Sequence, residues 1–187
     1  LSPNRMVNPP KMDDTSLMRF GNNYKIIPIQ TALDWSAWNV HNDAATEQTT
    51  LPGTGQDPAQ GLAKAVEMCN NNGTCRKFDA GTMCPSFRVT RDEVHATRGR
   101  ANTLRLALSG QLQGGLESPE VKEAMDLCVG CKGCKRDCPT GVDMARMKIE
   151  VQHHYNEKHG LQLKDTLISN LPRYAHIASQ WPGLMNL

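Results

Sequence analysis

Cys128-Val129-Gly130-Cys131-Lys132-Gly133-Cys134-Lys135-Arg136-Asp137-Cys138-Pro139 decides how the rest of this chain is read. Its spacing is C-x2-C-x2-C-x3-C-P. Three thiolates this close together can wrap one corner of a cube of iron and sulfide, while the fourth, ahead of a proline, is directed at a different cluster. Gly130 and Gly133 are expected to let the backbone pass close to an inorganic core where a Cβ would crowd it. Pro139 is expected to turn the chain after the last ligand. A structural zinc site normally takes two separated C-x2-C pairs, not four cysteines in one short run. Disulfides fit poorly too, because the loop geometry is wrong and the chain has 7 cysteines, an odd number.

A second group, Cys69, Cys75 and Cys84, is an imperfect copy of the first. Cys69 and Cys75 form C-x5-C, and Cys84-Pro85 repeats the cysteine–proline ending. The middle ligand position falls on Asn72, and the gap from Cys75 to Cys84 is longer than its counterpart. Both groups are expected to lead through the C-P into a helix, an internal repeat of cluster loop and helix. Paired motifs of this kind exchange their last cysteines. That rule places Cys128, Cys131, Cys134 and Cys84 in one four-thiolate 4Fe–4S site. It leaves Cys69, Cys75 and Cys138 as a three-thiolate site, suited to a 3Fe–4S cluster, or to a 4Fe–4S cluster whose last corner is completed by water or a non-cysteine group. The competing reading makes Cys69 and Cys75 ordinary core thiols, but a lone cluster would then lack its fourth ligand.

The chain has 187 residues, enough for one domain or a small domain plus an arm. Only 39% are hydrophobic and 5% aromatic, so bound clusters are expected to supply part of the folding energy. A formal charge of +2 carries no nucleic-acid signature. No run approaches the length of a membrane helix, and residues 1–10 contain no apolar leader. Metal-type cysteines without a leader predict the reducing cytoplasm, with any membrane association made through partners. Position 1 is Leu, and the chain reads as a piece of a longer polypeptide or one part of a larger assembly.

Three regions are expected: an irregular arm over 1–56, a helical body over 57–175, and the start of a truncated continuation over 176–187. In the arm, Met18, Phe20, Tyr24, Ile27, Trp35 and Trp38 are too apolar for a free linker, so it should pack on the body or on a neighbouring flavin domain. Residues 42–57 read as a polar surface loop. Asp57-Pro58 predicts a helix start carrying Leu62, Val66 and Cys69 on one face. Thr90 and Glu93 fit a capping box for a helix through Leu104 and Leu108 to Gly110. Ser118-Pro119 opens a third helix with Val121, Met125 and Leu127. Thr140 is expected to cap a fourth, with Met144, Met147, Val151 and Tyr155 on one stripe and Gly160 as its stop. A fifth should run from Leu163 to Leu171 and end at Pro172. With no alternating strands, the body is expected to be all-α.

Several stretches then resemble one known family. They are Met68 to Lys77, Met83-Cys84-Pro85-Ser86-Phe87, Thr97-Arg98-Gly99-Arg100-Ala101-Asn102, Cys131 to Cys134, and Cys138 to Met144. Together they resemble the C-terminal iron–sulfur region of bacterial FAD-linked oxidases of the D-2-hydroxyglutarate and glycolate dehydrogenase type, over about residues 10–174. Lys11 to Asp14 and Thr31 to Trp35 look like the joint that follows the flavin domain there. The cysteine layout is also similar to the α-helical ferredoxin domain of succinate dehydrogenase iron–sulfur subunits, where a C-x5-C motif holds a 3Fe–4S cluster. The longer gap between Cys75 and Cys84 departs from that layout.

The resemblance implies an electron-transfer domain that takes electrons from FAD on a flavin domain or flavoprotein subunit and hands them to a further acceptor. Gly53-Thr54-Gly55 precedes no strand–helix unit, so FAD is not expected on this chain. One alternative is the iron–sulfur subunit of a respiratory dehydrogenase or heterodisulfide-reductase-type complex. Another is a module whose metal only staples the fold. Lys132, Lys135 and Arg136 are read either as charge compensation and docking or as a solvated face. Arg88, Arg91, Arg98, Arg100 and Arg105 read first as helix-surface charges, with contact to the first cluster or the flavin domain as the alternative. His153 and His154 read as surface residues.

Overall fold

The computed structural model describes residues 25–38, 57–78 and 81–180. Met18, Phe20 and Tyr24, the loop expected over 42–56, and residues 181–187 lie outside them. Every regular element among the described residues is helical. The α-helices are α1 (Leu62–Glu67), α2 (Pro85–Thr90), α3 (Thr97–Leu108), α4 (Pro119–Asp126), α5 (Gly133–Asp137), α6 (Met144–His159), α7 (Leu163–Ser169) and α8 (Leu171–Ala178). Single 3-10 turns at Ser36–Trp38, Thr74–Arg76, Glu93–His95 and Gly115–Glu117 fill the connections.

Helix α3 is the hub. It packs on α1, α4, α6 and the turns at 93–95 and 115–117. Ala101, Leu104 and Leu108 recur at helical spacing and are all buried. They meet Leu62 and Val66 of α1, Val121 and Met125 of α4, and Met144, Met147 and Val151 of α6 in one apolar cluster. Alanines at 63, 65, 96, 101 and 107, each almost fully buried, contribute little bulk to that cluster. Two charged residues share the buried face of α3, Arg100 and Arg105. Burial overturns the surface reading of these two. Arg105 Nε pairs with Glu67 Oε1 at 3.0 Å, and its Nη2 donates to the Cys69 carbonyl.

The helix starts differ from expectation where two capping residues compete. The Asp57 carboxylate accepts the Ala59 and Gly61 N–H groups at 2.9 and 3.1 Å, but this cap closes a turn and α1 begins only at Leu62. Thr90 ends α2 instead of opening α3, and its hydroxyl donates back to the Ser86 carbonyl. Asp92 caps only the 93–95 turn, accepting from the Val94 N–H at 3.1 Å, and α3 starts at Thr97 with no side-chain cap at Ala96. Asp143, not Thr140, caps α6 by accepting from the Arg146 N–H at 3.1 Å. Ser118 caps α4 as expected, and α6 ends at Gly160. Pro172 opens α8: a proline in a first turn removes only an N–H that has no intrahelical partner.

Residues 25–38 lie against the helices without forming a strand. The Ile27 N–H donates to the Leu108 carbonyl at 2.9 Å and the Ile29 N–H to the Pro58 carbonyl at 3.1 Å. Glu150 holds the turn that follows. Its side chain is fully buried and accepts from the Ala32 N–H at 2.6 Å, the Leu33 N–H at 3.0 Å and the Trp35 indole N–H at 2.9 Å. Arg146 covers Trp35 and Trp38 from one side, 4.8 and 5.5 Å from the ring centroids, and donates to the Asp34 carbonyl. Removing this acceptor leaves a buried indole N–H and two part-buried backbone N–H groups without their partner, at a cost of about 3 kcal/mol. Glu150→Ala should therefore lower the thermal midpoint and shift tryptophan emission to the red. Unchanged emission would mean that the 32–35 turn is held by other contacts.

Candidate metal centres

The two cysteine loops are built alike at the backbone. Each holds a non-glycine residue in the left-handed region just before a short helix: Cys84 at φ 47 before α2, and Lys132 at φ 56 before α5. Gly130 also has φ +65, the conformation a glycine supplies at least strain, with open space around it. Gly133 serves a different purpose from the one its motif suggests. A Cβ there would stand 2.7 Å from Thr82 Oγ1 and 2.9 Å from the Thr82 carbonyl, so the residue is small to admit the 81–84 segment. Asp137 fastens that segment. Its Oδ2 accepts the Thr82 N–H at 2.8 Å and lies 3.1 Å from the Thr82 hydroxyl. The neighbouring Arg136 guanidinium, followed by the Thr82 N–H, holds the Asp137 carboxyl at about 2.

This clasp brings Cys84 to the other loop. One cleft is lined by Cys84, Cys128, Cys131 and Cys134, together with Pro85, Thr97, Arg100, Met144 and Ala145. Cys84 and Cys134 are buried, Cys128 is half-buried and Cys131 is exposed, so the cleft opens to solvent on the Cys131 side. The loop's entry is fixed by Lys148 of α6, whose Nζ donates to the Cys128 carbonyl at 2.6 Å.

Cys84 also faces the first loop, where its thiol meets that of Cys75. The Cys75 thiol is the donor of the pair. This bond, then the Thr97 hydroxyl and N–H, both 3.0 Å from Cys84 Sγ, pull the Cys84 thiol down to about 6, with the Arg100 charge acting the same way. Cys75 is pushed up by the same bond and by burial. Cys69 and Cys75 are both buried. Asn72 is exposed and its side-chain oxygen accepts the Thr74 N–H at 2.9 Å, so it braces its own loop.

Cys138 is half-buried. Burial pushes its thiol up, but the Thr140 hydroxyl at 3.2 Å and the N–H groups of Thr140, Gly141 and Val142 outweigh this and hold it below the usual range. Among the described residues no hydrogen bond joins Cys138 to Cys69 or Cys75. Burial raises Cys134, against the N–H groups of Met144 and Ala145. The donors aimed at sulfur thus come from the first turns of α3 and α6 and from the loop after Cys138. The first turn of the helix that follows Cys138-Pro139 is the signal that could have found Met144 and Ala145; Thr97 opens the second helix after Cys84-Pro85 and had no such signal.

Four thiols around one cleft, with N–H donors already directed at Cys84 and Cys134, are a donor set that suits an iron–sulfur cluster. Residues 65–142 match the 4Fe-4S dicluster domain. The chain carries an iron–sulfur domain. It is 30% identical to a D-2-hydroxyglutarate dehydrogenase of Pantoea ananatis, over 63% of this chain and 15% of that protein. The Escherichia coli D-2-hydroxyglutarate dehydrogenase is 29% identical over the same shares. A probable glycolate oxidase iron-sulfur subunit of Bacillus subtilis is 30% identical over 42% of this chain and 18% of that one. The chain is homologous to a part of these proteins and spans about 15% of the length of the dehydrogenases. No solved structure matches it.

Among the described residues no helix is long and apolar enough to cross a membrane. Asp137→Ala would release Thr82 and with it Cys84, while Asp137→Asn keeps an acceptor for the Thr82 N–H. Iron and sulfide bound per chain should therefore fall clearly in Asp137→Ala and less in Asp137→Asn. Equal loading of both variants and the parent would show that the clasp does not position Cys84.

Proposed function

We propose that the seven cysteines hold two clusters and that the chain is the electron-transfer part of an FAD-dependent D-2-hydroxyacid dehydrogenase of the D-2-hydroxyglutarate type. The observation that carries this reading is the cleft in which Cys84 joins Cys128, Cys131 and Cys134. These four residues would hold a 4Fe–4S cluster. Cys69, Cys75 and Cys138 would hold the second, as a 3Fe–4S cluster or a 4Fe–4S cluster with one non-cysteine corner. Bound clusters supply one-electron storage at potentials set by their type, charge, hydrogen bonding and exposure.

The protein's part is to fix distance, dielectric and hydrogen bonding. Thr97, Thr140, Gly141, Val142, Met144 and Ala145 direct donors at the ligand sulfurs, which favours the more negative, reduced state. The buried Cys84 side excludes water, and the exposed Cys131 side gives a short path to a partner surface. The electron donor is proposed to be a flavin domain or flavoprotein subunit carrying FAD outside this chain, with a separate acceptor downstream. The arm over 1–56 is proposed to join the helical body, 57–175, to that flavin unit, and 176–187 to begin a further region. The match to a protein named as an iron-sulfur subunit favours a second arrangement, in which flavin and clusters lie on different polypeptides.

Anaerobic purification with iron and sulfide counting and electron paramagnetic resonance tests the reading. About seven irons with a signal in the oxidised protein fits one cube and one three-iron cluster, and about eight with a signal only on reduction fits two cubes. Cys84→Ser should remove the signal of the four-thiolate site and leave the other. Zinc in place of iron, or clusters that do not cycle reversibly, would instead support a metal that only staples the fold.

A further inference from the structure

Arg100 is 2% exposed, yet it carries a charge it cannot lose. Its Nε donates to the Ala124 carbonyl at 2.7 Å and its Nη2 to the Ser86 hydroxyl at 2.9 Å. Both acceptors are neutral. Among the described residues no carboxylate pairs with this guanidinium, whereas the neighbouring buried Arg105 has Glu67. A buried charge without an opposite charge is strongly unfavourable. Among the described residues, the group the fold sets opposite Arg100 is the four cysteine sulfurs of the cleft it lines, which become thiolates when they ligate metal. Pro85, Met144 and Ala145 line the same cleft and keep its dielectric low. Lys132, the other cation there, lies on the solvent side, where water screens it.

We propose that Arg100 is the buried counter-ion of the cluster held by Cys84, Cys128, Cys131 and Cys134, and that it keeps the reduction potential of that cluster up. The inference rests on the four-thiolate reading above. A cluster gains one negative charge with each electron, so a fixed cation beside it stabilises the reduced form more than the oxidised form. The two hydrogen bonds to Ala124 and Ser86 hold the guanidinium in place on either side of the electron's arrival. Arg100 is thus a positioning residue for charge and takes no part in bonding to the cluster.

The test compares Arg100→Lys and Arg100→Gln with the parent in the cluster-loaded protein. Iron and sulfide are counted first. The electron paramagnetic resonance signal that Cys131→Ser abolishes is then titrated with dithionite as the reductant. Arg100→Gln should lower the equilibrium constant for reduction at least tenfold, a shift of about 59 mV to more negative potential. Arg100→Lys should stay within about threefold of the parent, because it keeps the charge. If Arg100→Gln fails to fold by circular dichroism, Arg100→Met takes its place, filling the space without a buried polar head. An unchanged potential in a fully loaded Gln or Met variant overturns the proposal, as does a Lys variant that falls as far as Gln. Absence of iron from the parent would sink the four-thiolate reading instead, so the two failures are told apart.

Discussion

One sulfur is held in place by the protein itself, and the site is arranged around it. Cys84 takes a left-handed backbone conformation that costs a non-glycine residue about 1–3 kcal/mol. Pro85 starts α2 immediately after it, and the Thr97 N–H and hydroxyl both reach its Sγ at 3.0 Å. Thr97 is also the first residue of α3, the helix on which the apolar core is assembled. The Cys84 sulfur and the hub are therefore one mechanical unit. Burial of Leu104 and Leu108 against α1, α4 and α6 fixes where the Cys84 sulfur stands.

The same helix distributes charge between the two cysteine groups. Arg98 and Arg100 are two residues apart, which puts them on different sides of α3. Arg98 lies over the first loop, its Nη1 within 3.5 Å of where a Cβ on Gly73 would be, and Glu93 anchors it at 2.7 Å. Arg100 lines the cleft of the second loop. Asp137 completes the arrangement by tying Thr82, and so Cys84, to the loop that supplies the other three thiols. A chain with a modest apolar core thus uses directed polar contacts to bring together loops far apart in sequence.

The all-helical class, the paired cysteine loops and most of the helices were legible in the sequence, because spacing and periodicity are local properties. The C-P dipeptides announced α2 and α6 but not the left-handed entry of α2 at Cys84, whose sulfur is held by Thr97, thirteen positions away. Capping residues misled where two candidates stood close together: Asp143 caps α6 while Thr140 turns to Cys138, and near Thr90 the aspartate, Asp92, caps only the 93–95 turn while α3 starts at Thr97 with no side-chain cap. Gly133 looked like a concession to an inorganic core and answers to Thr82. Arg100, Arg105 and Glu150 were illegible because hydropathy assigns charged residues to the surface. Their partners, Ala124, Glu67 and Trp35, lie far away along the chain.

Where Cys84 sends its sulfur separates this account from its rivals. Iron-edge anomalous diffraction from crystals of the anaerobically purified protein measures it directly. The account expects a compact group of iron peaks in the cleft, bonded to Cys84, Cys128, Cys131 and Cys134, with a second group at Cys69, Cys75 and Cys138. Iron bonded to Cys84 together with Cys69 and Cys75, or a single tetrahedral ion in the cleft, would contradict it.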